Sequence, residues 1–206
     1  MIRYLYIFLA FISLGLAPLT ASPVQLGQLG QIEQIGQSDQ FNAQHTAFSV
    51  AIDQIDANVV FMRHALAPGY GDPDHFDIDQ CATQRNLNAT GRQQAQDIGL
   101  YIKSQGVRFD AILSSQWCRC VDTAIALDLG EWQRFAGLNS FFQDHVDRTE
   151  TLALLSDRLE TIADDELILM VTHQVVISAV TGYSTPSGGL VLYNSRTGKA
   201  KPLSIP

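Results

Sequence analysis

Val59-Val60-Phe61-Met62-Arg63-His64 is a run of strand-forming apolar residues cut off by an arginine and a histidine. A stretch rich in breakers follows it, Ala65-Leu66-Ala67-Pro68-Gly69-Tyr70-Gly71-Asp72-Pro73. In an open α/β sheet, ligands bind in the crevice outside the carboxyl ends of the strands, so this pair is placed to meet an anion. We read it as a phosphate-handling site. An isolated Arg-His dipeptide more often just closes a surface strand, so the weight of the reading has to come from the rest of the chain.

The chain has 206 residues, 46% of them hydrophobic and 17% charged, which suits one ordinary globular domain with some excess at the ends. A formal net charge of -8 argues against a general nucleic-acid binder, which needs a basic face to displace counterions. Any anion site must therefore be local. Arginines gathered in a pocket still hold phosphate in an acidic protein, because distant charge is screened beyond about 10 Å.

At the N-terminus, Arg3 precedes an apolar run over residues 4–16, followed by Ala17, Pro18, Thr20, Ala21 and Ser22. This is the layout of a secretory signal peptide, with an uncleaved anchor as the competing reading. The run is shorter than the roughly 20 apolar residues of a membrane span. We expect residues 1–21 to be removed near Ala21, no stable membrane insertion afterwards, and export to the periplasm or beyond. Residues 25–40 are glutamine-heavy and broken by glycine, and we read 22–56 as a linker. The folded domain is expected over residues 57–206.

Within that domain, Asn88 is a good N-cap, and Ala95, Ile98, Gly99 and Ile102 then recur at helical spacing until Gly106. Phe109-Asp110-Ala111-Ile112-Leu113 reads as a short buried strand running into Ser114-Ser115-Gln116-Trp117-Cys118-Arg119-Cys120. The helix after it puts Arg119 in its first turns, where free amides and the helix dipole favour a negative ligand. A covering helix is predicted over residues 151–163. Glu166-Leu167-Ile168-Leu169-Met170-Val171 is the nearly all-apolar kind of strand found in the middle of a sheet, and it ends in Thr172-His173. A last hairpin turns at Thr197-Gly198.

Alternating strands and helices predict an α/β fold, a three-layer α/β/α sandwich around a mostly parallel central sheet. Three buried strands then deliver Arg63 with His64, Arg119, and His173 to one edge. Any one of these alone is more often a solvated or satisfied residue, and their coincidence is the argument for an anion site.

These residues resemble the histidine phosphatase superfamily, the phosphoglycerate-mutase-like fold, in its first branch. Arg63-His64 is similar to the Arg-His-Gly signature, with Ala65 in place of glycine. Leu87-Asn88-x-x-Gly91-x-x-Gln94-Ala95, Ser114-Ser115-x-x-x-Arg119-x-x-x-Thr123-Ala124 and Val171-Thr172-His173 are similar to three further motifs, in the family's order. Small exported phosphatases of the family are nearest in length and targeting. The resemblance implies that His64 attacks phosphorus and becomes phosphohistidine, a role suited to an imidazole unprotonated near neutral pH. It implies that Arg63 and Arg119 clamp phosphate oxygens, that His173 completes the pocket, and that no metal or cofactor is required. Gln84 and Arg85 are further candidates for substrate contact.

The family's general acid is missing where it should fall. Residues 138–140 are Leu-Asn-Ser, and Gln174 follows the late histidine. Asp72, Asp74, Asp144 and Glu150 are unranked substitutes. A leaving group as good as a phosphohistidine needs no acid, whereas a misplaced acid costs on the order of 10²- to 10⁴-fold in rate.

Three cysteines in an exported chain suggest one disulfide and one leftover thiol. Cys118 and Cys120 would point about 160° apart in a helix, so only one readily faces Cys81, and we favour Cys81 with Cys118. Three buried free cysteines are the alternative, and a zinc site with His75 fits no standard spacing. The function expected is a metal-independent phosphatase acting on a small phosphorylated substrate or a phosphoprotein, as a monomer, without nucleic acid. A non-catalytic phosphosugar or phosphoprotein binder is the alternative, and a phosphomutase comes third.

Overall fold

Strand β1 (Val59–Arg63) lies near the middle of a six-stranded sheet whose order is β3 (Gln133–Arg134), β2 (Ala111–Ser114), β4 (Ile168–Thr172), β1, β5 (Leu190–Tyr193) and β6 (Ala200–Leu203). The computed structural model describes residues 46–163 and 165–205, so the expected signal segment 1–21 and the linker up to residue 45 lie outside the described residues. β1 pairs in parallel with β4, which pairs in parallel with β2, and β2 with the short β3. On the other side of β1, β5 runs antiparallel, and β6 runs antiparallel to β5. The mostly parallel sheet follows the prediction.

The strands alternate between two cores, which is why β1 and β4 have no polar face. Val60, Met62, Leu169 and Val171 point into one core with Ile98 and Ile102 of helix α2 (Ala89–Ser104) and Ala124 and Leu127 of α3 (Cys118–Leu127). Val59, Phe61, Ile168 and Met170 point into the other, with Leu155 and Leu159 of α4 (Arg148–Glu160) and Val176 and Ile177 of α5 (Gln174–Thr181). The result is the expected three-layer sandwich.

Two boundaries differ from the expectation. Helix α1 (Ala47–Asp53) precedes the domain start predicted at residue 57, so residues 47–53 are folded and the linker cannot extend to 56. Thr46 caps the helix by accepting from the Ser49 amide, and Phe48, fully buried, joins the core of Ile102 and Leu192. The covering helix starts three residues early because Asp147 accepts from the Glu150 amide at 2.8 Å.

Helix α2 is capped by Asn88 as predicted, the side chain accepting from the Gly91 amide at 2.8 Å. Gly91 is also where the helix meets the loop after β1. A Cβ there would lie 2.0 Å from the Leu66 carbonyl oxygen, so only glycine lets the two backbones touch.

Candidate active site

The sheet register brings the two histidines together. Arg63 pairs with Thr172 across β1 and β4, and the His64 amide extends the ladder to the Thr172 carbonyl at 2.9 Å. His64 and His173 therefore leave adjacent parallel strands at the same edge, with ring centroids 5.4 Å apart. Both are buried, at 2% and 3% exposure.

The His64 ring has a defined tautomer. Nδ1 lies 2.7 Å from the Ala65 carbonyl oxygen, which can only accept, so Nδ1 carries the proton and Nε2 the lone pair. Burial first, and then the charge of Arg119, lowers the imidazole to about 3, with Arg85 and Arg63 adding to the shift and the Ala65 bond opposing it. His64 is thus a neutral imidazole with the Nε2 lone pair unprotonated. The Ala65 amide donates to Thr123 Oγ1 at 3.0 Å, and that hydroxyl donates to the Arg119 carbonyl at 2.6 Å, which links the loop after His64 to α3.

His173 is held from its other side. Its Nε2 is 2.9 Å from Ser115 Oγ, which accepts from the Trp117 amide and donates to Asn139 Oδ1. Burial, followed by Arg119, holds this imidazole well below its ordinary value.

Arg119 is almost fully buried and gripped by Asp72, with Nη1 to Oδ1 at 2.7 Å and Nη2 to Oδ2 at 3.1 Å. Asp72 also accepts from the Trp117 indole and the Arg85 amide. Burial raises its pKa, but the bonds and charge of Arg119 outweigh that and leave it lowered. Asp72 is therefore an ionised clamp on Arg119, which corrects its candidacy as general acid.

Arg85 donates to the Gly71 carbonyl at 2.9 Å and to the Ala67 carbonyl, and Arg63 donates to the Thr185 carbonyl at 2.9 Å. Arg63, His64, Arg85, Arg119 and His173 line one cavity of about 250 Å³. Among the described residues Asp72 is the one carboxylate paired with any of these three guanidiniums, which leaves two positive charges without an ionic partner. Nε of Arg63 and Nε of Arg119 are buried without a hydrogen-bond partner. Buried donors and excess positive charge are what a phosphate dianion satisfies.

Other candidates fall elsewhere. Gln84 faces away from the cavity, donating to the Asp77 and Ile78 carbonyls and accepting from the Cys118 amide at 2.9 Å. It is a structural pin, not a substrate contact. With Ser115 on the Trp117 amide, it also occupies amides at the start of α3, so the anion site is built from guanidiniums and not from the helix end. Asp74, Asp144 and Glu150 are exposed and outside the cavity wall. Among the described residues no carboxylate lines the cavity. Asn139 stands where the family's acid was sought and spends its amide on Ser115 and Gln116.

Cys81 and Cys118 are bonded, as the sequence favoured, and Cys120 is a buried free thiol. Burial pushes Cys120 up to about 12, which leaves it protonated. Tyr70 and Gln143 also stand at the cavity or its frame with no motif to mark them. So does Thr123, whose signal is its place in the second-arginine motif.

The α/β/α sandwich gathers two histidines and three arginines around one cavity at the carboxyl edge of its parallel strands, an arrangement suited to holding phosphate. Residues 59–141, which include Arg63, His64, Arg85 and Arg119, match the model of the histidine phosphatase superfamily (branch 1), and over that segment the chain is similar to this family. Among solved structures, a mycobacterial glucosyl-3-phosphoglycerate phosphatase in complex with VO3 shares the fold at 13% identity and a TM-score of 0.53, covering 71% of this chain and 96% of its own. A phosphoserine phosphatase from Entamoeba histolytica is similar at 17% identity and TM-score 0.49, covering 71% and 94%. The protein histidine phosphatase SixA, complexed with tungstate, is similar at 18% identity and TM-score 0.48, again covering 71% and 94%. A sequence comparison with curated proteins found no match.

Proposed function

We propose that the chain is a phosphatase that transfers the phosphoryl group of its substrate to His64 and then to water, without a metal ion. The observation that carries this reading is the Nδ1 bond of His64 to the Ala65 carbonyl, which leaves a neutral Nε2 free in a cavity where, among the described residues, two positive charges have no ionic partner. In the first step Nε2 bonds to phosphorus while the bond from phosphorus to the leaving atom breaks, and the leaving group takes the electron pair. In the second, water attacks phosphorus, the P–N bond breaks, and the water proton passes to phosphate or solvent. Arg63, Arg85 and Arg119 hold the non-bridging oxygens, where guanidinium donors stabilise the charge of the transferring group.

The substrate is a small phosphorylated molecule or a phosphorylated protein side chain. The Cys81–Cys118 bond supports action outside the cytoplasm, since such bonds persist in oxidising compartments. Among the described residues no helix is long and apolar enough to cross a membrane. The test is hydrolysis of phenyl phosphate in EDTA by the wild type and by His64→Ala. Turnover lost in the variant supports the phosphatase.

One observation favours a second reading. Among the described residues the cavity has no carboxylate to protonate a departing alkoxide, as a pocket that binds phosphorylated ligands without turnover would not. That reading predicts vanadate binding, lost on Arg119→Ala, with no hydrolysis of any substrate.

A further inference from the structure

The cavity wall has an aromatic part beside its arginines. Beyond the arginines the wall includes Tyr70 and Phe142, whose rings meet edge to face, 5.2 Å between centroids and 83° between planes. Tyr70 is 89% exposed. A large aromatic ring left in water at the rim of a cavity is a surface that a ligand can cover.

The two rings are held by a built frame. Gly69 and Gly71 flank Tyr70 with φ of 96° and 70°, a conformation that side-chain-bearing residues rarely adopt. Arg85 fastens this loop through the Ala67 and Gly71 carbonyls. Gln143 accepts from the Asp72 amide at 2.6 Å and donates to the Asp72 carbonyl at 3.2 Å, which ties the Tyr70 loop to the turn carrying Phe142. The Ser140 hydroxyl, in the cavity wall, accepts from the Phe142 amide at 3.3 Å. Because the Asp72 side chain also grips Arg119, the aromatic pair is fixed in relation to the phosphate clamp.

We propose that Tyr70 and Phe142 bind the leaving group, and that the substrate class is a phosphorylated compound whose phosphate is carried by a planar aromatic or heteroaromatic ring. This rests on the phosphatase reading and gives its leaving group. The aromatic wall and the absent carboxylate agree: a phenolate or an imidazole departs without a strong acid beside it, whereas an alkoxide does not. The ring enters beside Tyr70 and Phe142 while its phosphate sits among the arginines.

The experiment compares kcat/KM for phenyl phosphate and for ethyl phosphate in the wild type, Tyr70→Ala and Phe142→Ala. The wild type should prefer the phenyl ester, and each variant should lower that preference about fivefold to tenfold, as loss of one aromatic contact implies. A preference unmoved in both variants, or absent in the wild type, overturns the proposal. Affinities of phenylphosphonate and ethylphosphonate, measured calorimetrically on the same proteins, separate it from the phosphatase reading. A wild-type phenyl preference in binding that the variants lose supports the ring site even where nothing is hydrolysed, and equal affinities overturn the ring site even where hydrolysis is seen.

Discussion

The carboxylate of Asp72 holds the guanidinium of Arg119 through two parallel hydrogen bonds, 2.7 and 3.1 Å long, and both side chains are 3% exposed. An arginine so gripped presents a fixed face to the cavity and loses little freedom when an oxyanion binds. Asp72→Ala leaves a buried guanidinium unpaired, so it should lower stability by about 3 kcal/mol and weaken vanadate binding at least tenfold. Denaturant titration and vanadate inhibition check the two effects. If Asp72 were instead a general acid, the variant would keep its vanadate affinity and lose turnover of alkyl esters alone.

Stability should fall in acid because of His64. Its folded value is about 3, against roughly 6.5 in an unfolded chain. Between those values the unfolded chain holds a proton that the folded one does not, so this contribution is fully present above pH 6.5. It is lost as the pH drops toward 3, at about 1.4 kcal/mol per pH unit for each such proton. His173 acts with the same sign. Denaturant midpoints of the wild type and His64→Asn at pH 7, 6, 5 and 4 test this: the variant should lose less stability on acidification, and parallel curves would contradict the shift.

The parts of the site that stand at strand ends were legible in the sequence. Val59 to Met62 and Ile168 to Val171 are apolar on both faces, so they had to be interior strands, and the polar residues that stop them had to share an edge. The family motifs then assigned roles to His64, Arg119 and His173. What could not be read depends on loops meeting across the fold. Asp72 finds Arg119 47 residues away, and Gln143 finds Asp72 71 residues away; neither pairing leaves a periodic trace. Gln84 was misplaced because its position beside Arg85 says nothing about which way its amide turns. Helix α1 was missed because only Phe48 and Ala51 of its seven residues are buried, and it follows a glutamine-rich stretch.

The Cys81–Cys118 bond closes a segment with a sequence separation of 37 and fastens the turn before Gln84 and Arg85 to the start of α3. In the chain-entropy model, closing such a loop is worth roughly 3–4 kcal/mol. Thermal or denaturant unfolding of Cys81→Ser should show a loss of that order, accompanied by a higher KM because Arg85 and Arg119 lose their common anchor. A variant with unchanged stability would show that the bond closes no loop the unfolded chain would otherwise sample.

Attack by His64 is tested most directly by rapid quenching of turnover with labelled phenyl phosphate, followed by mapping of the phosphorylated peptide. The expected result is acid-labile, alkali-stable phosphate on His64, absent in His64→Ala. Turnover with phosphate trapped on His173, or persisting in His64→Ala, would contradict it.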